Sequence, residues 1–175
     1  MPESSARYIS RVNRPPPTEP PQGFTLLELM IVLAVVAILA MLALPNMQDK
    51  LVRDQIVDAV KLADIAKPPI AQAWATTKTL PADNAAAGLP AADKIVGQLV
   101  SGVAVEAGAL HVTFGNSANP LIRGKRLTLR PAVVADEPMV PVSWVCAGGK
   151  VPDKMTAQGN DRTDVPPKYL PRNCL

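Results

Sequence analysis

The chain has few of the side chains from which catalytic and metal sites are built. Its 175 residues include one histidine, His111, and two cysteines, and these make no zinc ligand set. It has no serine with a plausible base, no glycine-rich phosphate loop and no pair of carboxylates in an evident cleft. Aromatic residues make up only 3% of the chain, so we expect an aliphatic core. These absences indicate a structural protein that is not an enzyme and has no metal or cofactor.

The two cysteines, Cys146 and Cys174, both lie near the C-terminal end. If this part of the chain is exported, an even pair indicates a disulfide, whereas in the cytosol the two would be free thiols. The choice between these alternatives depends on whether the chain crosses a membrane.

One long apolar run stands near the N-terminus. From Phe24 to Leu44 the chain is apolar apart from Thr25 and Glu28. A helix of this length spans about 31 Å, which matches the hydrocarbon core of a bilayer. The run is longer than the apolar core of a secretory signal peptide, and no Ala-x-Ala cleavage site follows it. We therefore expect a membrane anchor that is not removed at that point.

Residues 1–23 precede the run and are polar, with six prolines. A segment of this composition cannot bury enough apolar surface to fold, so we expect a disordered leader. Arg7, Arg11 and Arg14 predict that this end stays in the cytoplasm and that the C-terminal part crosses the membrane.

After the apolar run, residues 46–77 follow an amphipathic helical pattern. Apolar side chains recur at spacings of three to five, and charged residues fill the other faces. The predicted apolar face consists of Met47, Leu51, Ile56, Val60 and Ala63.

Prolines interrupt this helical pattern. Pro45 removes a backbone donor and should kink or loosen a single long helix over residues 24–77. Pro68-Pro69 should do so more severely. Residues 70–77, with Trp74, are therefore either a last bent turn or a separate short helix.

Residues 78–98 are rich in Ala, Pro, Asp, Asn and Gly and predict a loop. Four strand candidates with period-two alternation follow, the first two joined by a turn at Glu106-Ala107-Gly108. Their apolar positions are Leu99, Val103 and Val105, with Ser101 on the same face; Leu110, Val112 and Phe114; Leu127 and Leu129; and Val142, Trp144 and Cys146. In the second and third candidates polar residues, including His111 and Thr128, occupy the alternate positions, and in the fourth these positions are Ser143 and Val145.

This pattern predicts an α+β fold in which a long helix packs against one face of a four-stranded antiparallel sheet. The other face of the sheet would be polar, with His111 on it, and Trp74 and Trp144 would belong to the core. Residues 147–173 are rich in Pro, Gly, Asp and Asn and predict a C-terminal loop.

Two polar clusters have no place in this pattern. The basic one favours a solvated sheet edge or a subunit contact, with DNA or another polyanion as the alternative; it comprises Arg123, Lys125, Arg126 and Arg130. The acidic one has a Ca²⁺ site as an alternative, although its spacing matches no calcium-binding loop; it comprises Asp153, Asn160, Asp161 and Asp164.

The stretch Gly23-Phe24-Thr25-Leu26-Leu27-Glu28, with the apolar helix after it, resembles the processing site of type IV prepilins. This is the class III signal peptide family, whose mature N-terminus is N-methylphenylalanine. Residues 122–129, 142–146 and 169–174 resemble the sheet and the C-terminal disulfide region of the major pilins. The resemblance covers nearly the whole mature chain.

Members of this family are cut after the glycine, on the cytoplasmic side, by a dedicated prepilin peptidase that also methylates the new first residue. The resemblance therefore implies specific roles for named residues. These are leader cleavage between Gly23 and Phe24, N-methylation of Phe24, a helix kink at Pro45, and a disulfide between Cys146 and Cys174 that closes the C-terminal loop.

Glu28 corresponds to the acid in the first turns of the mature pilin helix. A carboxylate one turn inside a hydrocarbon span is costly unless it is paired. Cleavage would create an ammonium at Phe24, close to Glu28 of the same chain or of a staggered neighbour. One buried polar pair of this kind specifies register more than it adds stability.

The resemblance also implies an organisation in three parts. The leader, residues 1–23, is removed on maturation. Residues 24–77 form the long helix, of which 24–44 span the inner membrane and later form the filament core. Residues 78–175 form a head that is periplasmic in the precursor and extracellular in the filament.

The implied function is that of a structural subunit polymerised into a type IV pilus for adhesion, twitching motility or DNA uptake. The implied partners are other pilin subunits, the prepilin peptidase and methyltransferase, the pilus assembly machinery and inner membrane, and for some pili a host surface or DNA. A minor pilin or a type II secretion pseudopilin is the nearest alternative. A monomeric, membrane-tethered periplasmic binding module is a more distant one, and it would have no need of Glu28.

Overall fold

The computed structural model describes residues 23–175, apart from the side chains of residues 43–46. The chain divides into two compact units, one ending at Ala40 and the other running from Met41 to Leu175. Residues 1–22, which make up nearly all of the predicted leader, lie outside the described residues, and the leader stays a prediction.

Helix α1, Leu26–Ala63, contains most of the apolar run and the first part of the amphipathic segment. Its backbone is helical through Pro45. The kink expected at that residue stays a prediction.

A short 3₁₀ turn, Asp64–Ala66, separates α1 from a second helix, α2, Lys67–Thr77. The predicted long helical segment thus runs to residue 77, as expected, with one 3₁₀ turn in it. Of the two alternatives for residues 70–77 the separate short helix is right, although it begins at Lys67, ahead of Pro68-Pro69. Pro68 and Pro69 lie in the first turn of α2, where a backbone N–H has no helical acceptor to lose. The α2 helix ends where Lys78 turns left-handed and its N–H donates to the Trp74 carbonyl at 2.9 Å.

The two helices and the turn between them bury one stripe of side chains, formed by Val52, Ile56, Ala59, Ala63, Ala66, Ile70 and Trp74. This corrects part of the predicted apolar face, because Met47 and Leu51 are 62% and 58% exposed and Val60 is only half-buried. Successive helical residues are about 100° apart, so Val52 shares the inner face with Ile56 whereas Leu51 does not. Apolar residues on more than one face made the sequence ambiguous here.

The sheet contains strands β1, Val100–Glu106; β2, Ala109–Phe114; β3, Arg126–Val133; β4, Ser143–Cys146; and β5, Thr156–Ala157. The first four are antiparallel in the order β1-β2-β3-β4, which confirms the predicted sheet. The short β5, which was not predicted, pairs with β3. Ala107 and Gly108 make the two-residue turn between β1 and β2, both with positive φ (48° and 81°), as this type of hairpin requires.

The predicted faces of the sheet need two corrections. Ser101 is exposed, because an irregularity in the β1–β2 register between Val100 and Gly102 places Val100 in the core instead. His111 and Thr128 are buried, although alternation placed them on a polar face. The face is covered by residues 156–164, which are described below.

The core lies between the helical stripe and the inner face of the sheet. It is largely aliphatic, as expected. Trp74 is buried, and Trp144 is partly buried and packs against the core. The inner face of the sheet contributes Val103, Val105, Leu110, Val112, Phe114, Leu127 and Leu129.

Candidate functional site

The N-terminal end of α1 is organised by Thr25. The Thr25 hydroxyl accepts a hydrogen bond from the Glu28 backbone N–H at 3.1 Å, and its carbonyl accepts one from the Leu29 N–H at 3.1 Å. Thr25 is therefore the N-cap of the helix. The cap leaves Gly23 and Phe24 outside the helix, ahead of it, and places Glu28 in the first turn.

The Glu28 carboxylate is exposed, and among the described residues it has no hydrogen-bond or ion-pair partner. A negative charge near a helix N-terminus is favoured by the helix dipole, but only by a few tenths of a kcal/mol to about 1 kcal/mol. The flanking side chains, Leu27 and Leu29, are apolar and exposed. Within residues 23–175, Glu28 is therefore a single charge without a partner among apolar side chains.

This apolar surface extends along the whole first part of α1. None of its membrane-length apolar window is buried inside the protein, and by length and composition the helix could cross a membrane. Phe24, at its head, is 85% exposed. An exposed apolar surface of this size marks a membrane or protein interface. The other large exposed side chains on this part of α1 are Leu26, Leu27, Leu29, Met30, Ile31, Val32, Leu33, Val35, Val36, Ile38, Leu39, Met41 and Leu42.

At the other end of the chain, Cys146 and Cys174 form a disulfide, with their Cα atoms 4.6 Å apart. Cys146 ends β4, and Cys174 ends the 3₁₀ turn Arg172–Cys174. The bond closes a loop with a sequence separation of 28 residues and anchors the C-terminus to the edge of the sheet. Both cysteines are buried, so the bond is shielded from solvent.

Helix α1 holds this loop and a second one through polar side chains. The Arg53 guanidinium donates two hydrogen bonds to the Lys168 carbonyl, inside the disulfide loop. The Gln55 side-chain oxygen accepts the Asn119 backbone N–H at 2.9 Å, in the loop between β2 and β3. These contacts fix both loops to the helix, and sequence analysis missed them because polar residues on an amphipathic helix look solvated until the fold is known.

Two side chains of the basic cluster make hydrogen bonds within the head. Arg123 donates to the Ala118 carbonyl at 3.1 Å, and Arg130 donates to the Ala147 carbonyl at 3.0 Å. Arg130 is only partly exposed. Two of the four cations therefore hold loops in place, which favours a structural role for the cluster over contact with a polyanion.

The acidic cluster is also used internally. Asp161 accepts hydrogen bonds from the backbone N–H and the hydroxyl of Thr163, at 2.9 and 2.6 Å, and the Asp164 carboxylate accepts the Arg126 N–H. Within residues 23–175 no group of three or more His, Cys, Asp or Glu side chains is placed to hold a metal ion.

Comparison with known proteins covers both parts of the chain. The family described as Pilin (bacterial filament) matches residues 52–175, which include the buried part of α1, the sheet and the disulfide loop. The chain belongs to the pilin family. A second match, the prokaryotic N-terminal methylation motif, covers residues 21–44 and thus Gly23, Phe24 and Glu28.

Sequence similarity to individual proteins supports the same assignment. The type IV major pilin protein PilE of Neisseria gonorrhoeae is 37% identical over 160 residues, covering 87% of this chain and 93% of that protein. A fimbrial protein of Neisseria meningitidis serogroup B is 34% identical over 162 residues, with the same coverage. A fimbrial protein of Moraxella nonliquefaciens is 53% identical, but over only 49 residues. Pilins are structural subunits of bacterial filaments, so the chain is not an enzyme.

Proposed function

We propose that this pilin is the precursor of a major subunit of a type IV pilus. In this proposal the chain is inserted in the inner membrane through residues 24–44, is cut between Gly23 and Phe24, and is methylated at the new N-terminus. The subunits then polymerise through the same apolar helix. The relatives at 34–37% identity are named major pilin or fimbrial protein, which favours a major subunit over a minor pilin or a pseudopilin.

One observation carries this proposal. The methylation motif, residues 21–44, contains a capped helix start whose described side chains, residues 26–42, are apolar and exposed apart from a single carboxylate at Glu28. A soluble protein would have to cover such a surface. A bilayer covers it in the precursor, and neighbouring helices cover it in a filament.

Cleavage gives Glu28 its partner. The new α-amino group at Phe24 would lie four residues ahead of Glu28, and in a staggered filament it would reach the Glu28 of an adjacent subunit. Pairing an ammonium with a carboxylate removes the cost of an unpaired charge in an apolar core. The pair also sets the axial register, which apolar contacts alone leave undetermined.

The same scheme places the protein in the cell. The three arginines ahead of the apolar run would keep the N-terminus in the cytoplasm, and the head, which carries the disulfide, would form in the oxidising periplasm. After polymerisation the head faces outward, where a pilus acts in surface attachment, twitching motility or DNA uptake. The exposed apolar side chains of the second unit on α1, including Met47, Leu51 and Val57, would then contact neighbouring subunits.

Mass spectrometry of sheared surface filaments tests the proposal. We expect an N-terminal peptide that begins at Phe24 and carries one methyl group on its amine. Replacing Gly23 by leucine should leave the precursor uncut in the membrane, whereas Gly23→Ala, a matched small replacement, should be processed at least in part. Filaments that retain residues 1–23 would contradict the proposal, as would a Gly23→Leu chain cut as efficiently as the wild type.

A further inference from the structure

The face of the sheet that is turned away from α1 has a cover of its own, residues 156–164, here called the cover segment. At one end it forms β5, which pairs with Ala132 and Val133 of β3. At the other end, the Asp164 N–H donates to the Arg126 carbonyl at 3.1 Å, at the start of β3. Between these ends it passes close over β2, since a Cβ added to Gly159 would lie 2.7 Å from the Ala109 Cβ.

Beneath the cover segment lie two buried polar side chains on adjacent strands. His111 on β2 is 4% exposed and Thr128 on β3 is 0% exposed. The His111 Nδ1 and the Thr128 Oγ1 are 2.9 Å apart. The same Thr128 oxygen accepts the backbone N–H of Arg162, in the cover segment, at 3.0 Å. A short hydrogen-bonded chain therefore joins the histidine to the cover.

This chain works best with a neutral imidazole. The Thr128 oxygen accepts from Arg162, so its single proton is free to be donated to an unprotonated His111 Nδ1. The imidazole proton is then on Nε2, which has no hydrogen-bond partner in the described chain and lies 3.7 Å from the Glu106 carboxylate. If Nδ1 gains a proton, it can no longer accept the Thr128 hydroxyl proton, and two donors face each other. The hydroxyl proton then needs another acceptor at a fully buried position.

The charges around His111 act in both directions. Burial is the main cause that holds the pKa of His111 below its ordinary value, and the cations Arg162 and Arg126 lower the pKa further. Glu106, which forms an ion pair with Arg162, and Asp161 oppose them and raise it. Burial and the two cations prevail, so the closed structure disfavours the imidazolium.

We propose that the cover segment is a pH-responsive flap, held closed over the sheet by the neutral form of His111 and loosened when the imidazole takes up a proton. Opening hydrates the imidazolium, removes Arg162 from its vicinity and separates the protonated Nδ1 from the Thr128 hydroxyl. The flap carries Asp161, Arg162 and Asp164, so mild acid would rearrange the charged groups that this face of the head presents. His111 is the only histidine in the chain, which makes it the only side chain whose ordinary pKa lies between about 5 and 8.

The direction of the effect follows from linkage. Because the pKa of His111 is lower in the closed state than in a hydrated, open state, the open state binds more protons between these two values. Closure is therefore most stable above about pH 6.5, the ordinary histidine value, and weakens as the pH falls from there toward the lowered pKa of the closed state. The opening equilibrium can change by at most about tenfold per pH unit in this window.

Hydrogen exchange measured by mass spectrometry on the full chain in detergent micelles, from about pH 7.5 to about pH 5, tests the flap. Exchange rates are corrected for the intrinsic pH dependence of amide exchange. We expect the protection of amides in residues 157–164 to fall on acidification by up to about tenfold per pH unit, while the amides of β1 and β2 keep theirs. An NMR titration of the single imidazole of the wild-type chain should give a pKa below 6.5.

Two variants test whether protonation of His111, and not of another group, causes the loss of protection in the cover segment. His111→Phe keeps a buried ring but cannot titrate, so protection of the cover segment should lose its dependence on pH in this window. Thr128→Val removes the shared hydroxyl, so protection should fall at every pH and the imidazole pKa should move toward 6.5. The carboxylates of Glu106, Asp161 and Asp164 are present in both variants and serve as internal controls.

Three results would overturn the proposal. The first is protection of residues 157–164 that does not change with pH in the wild type. The second is the same pH dependence in His111→Phe, which would assign the effect to the carboxylates. The third is a parallel loss of protection in β1 and β2, which would show unfolding of the whole head.

Discussion

The guanidinium of Arg53 donates to the backbone carbonyl of Lys168 from both Nε and Nη2, at 2.9 and 2.6 Å. The two residues are 115 positions apart, so this contact joins the first helix to the last part of the chain. It lies within the loop that the Cys146–Cys174 bond closes. The C-terminal loop is thus fixed twice, by a covalent bond to the sheet and by a charged clamp to the helix.

Replacing Arg53 by alanine should loosen the C-terminal loop without unfolding the head. Hydrogen bonds to charged groups contribute more than neutral ones, but this pair is exposed, so we expect a loss of about 1 kcal/mol in the free energy of unfolding. Chemical denaturation of the purified chain would measure it. Lys50→Ala is a matched control, since Lys50 is an exposed cation one turn earlier on the same helix. Equal effects of the two substitutions would show that the clamp contributes nothing.

Removing the disulfide should have a larger effect than removing the clamp. In the chain-entropy model, a bond that closes a separation of 28 residues stabilises by about 3–4 kcal/mol. The double variant Cys146→Ala/Cys174→Ala should therefore have a lower midpoint of urea denaturation than the wild type. Adding reductant should lower the midpoint of the wild type to a similar extent. Reductant should leave the double variant unchanged. A wild-type chain that is insensitive to reductant under denaturing conditions would contradict this prediction.

Much of this architecture could be predicted because the physical signals are local. The apolar run sets the length of the exposed helix, and strict alternation located the four main strands. The cover segment gave no such signal. Residues 156–164 have no apolar periodicity, and they are held by hydrogen bonds such as Arg162 to the Thr128 hydroxyl and Thr128 N–H to the Thr163 hydroxyl. A polar face was therefore predicted for strands that are in fact covered.

Ser101 and Leu51 were misplaced for a related reason. Period-two and period-3.6 patterns assume an uninterrupted strand or a single apolar face. The irregularity in register beside Ser101 breaks the first assumption, and the second apolar face of α1 breaks the other. In both cases the correct placement depends on partners that are distant in sequence.

Asn84 illustrates the same limit, because its role depends on a strand about twenty residues away. Its side chain donates to the Val103 carbonyl at 3.0 Å and accepts the Val105 N–H at 2.7 Å, on the outer edge of β1. It also donates to the Pro90 carbonyl at 2.9 Å, within its own loop. Asn84 therefore takes the place of a neighbouring strand and covers an edge that could otherwise pair with another chain.

Asn84→Ala should destabilise the head by about 1–3 kcal/mol, since it leaves the buried Val105 N–H and Val103 carbonyl without partners. We also expect faster hydrogen exchange at Val105 and more self-association in light scattering. Lys94→Ala, an exposed substitution in the same loop, should do neither. A chain with Asn84→Ala that stays as stable and as monodisperse in detergent as Lys94→Ala would contradict the edge-covering role.

The proposed function makes its sharpest prediction at Glu28. Glu28→Gln keeps the size and the helix cap but removes the charge that would pair with the Phe24 ammonium. The variant should be inserted and cut as in the wild type, because Gly23 and Phe24 are unchanged, yet few subunits should enter filaments. Immunoblots of the membrane and of the sheared surface fraction would measure these two amounts separately.

Two control variants sharpen this test. Glu28→Asp retains the charge on a shorter side chain and should assemble better than Glu28→Gln. Asp54→Asn, which removes an exposed acid elsewhere on the same helix, is the control for a loss of charge as such. Wild-type amounts of filament from Glu28→Gln would show that the apolar helices find their register without the charge pair.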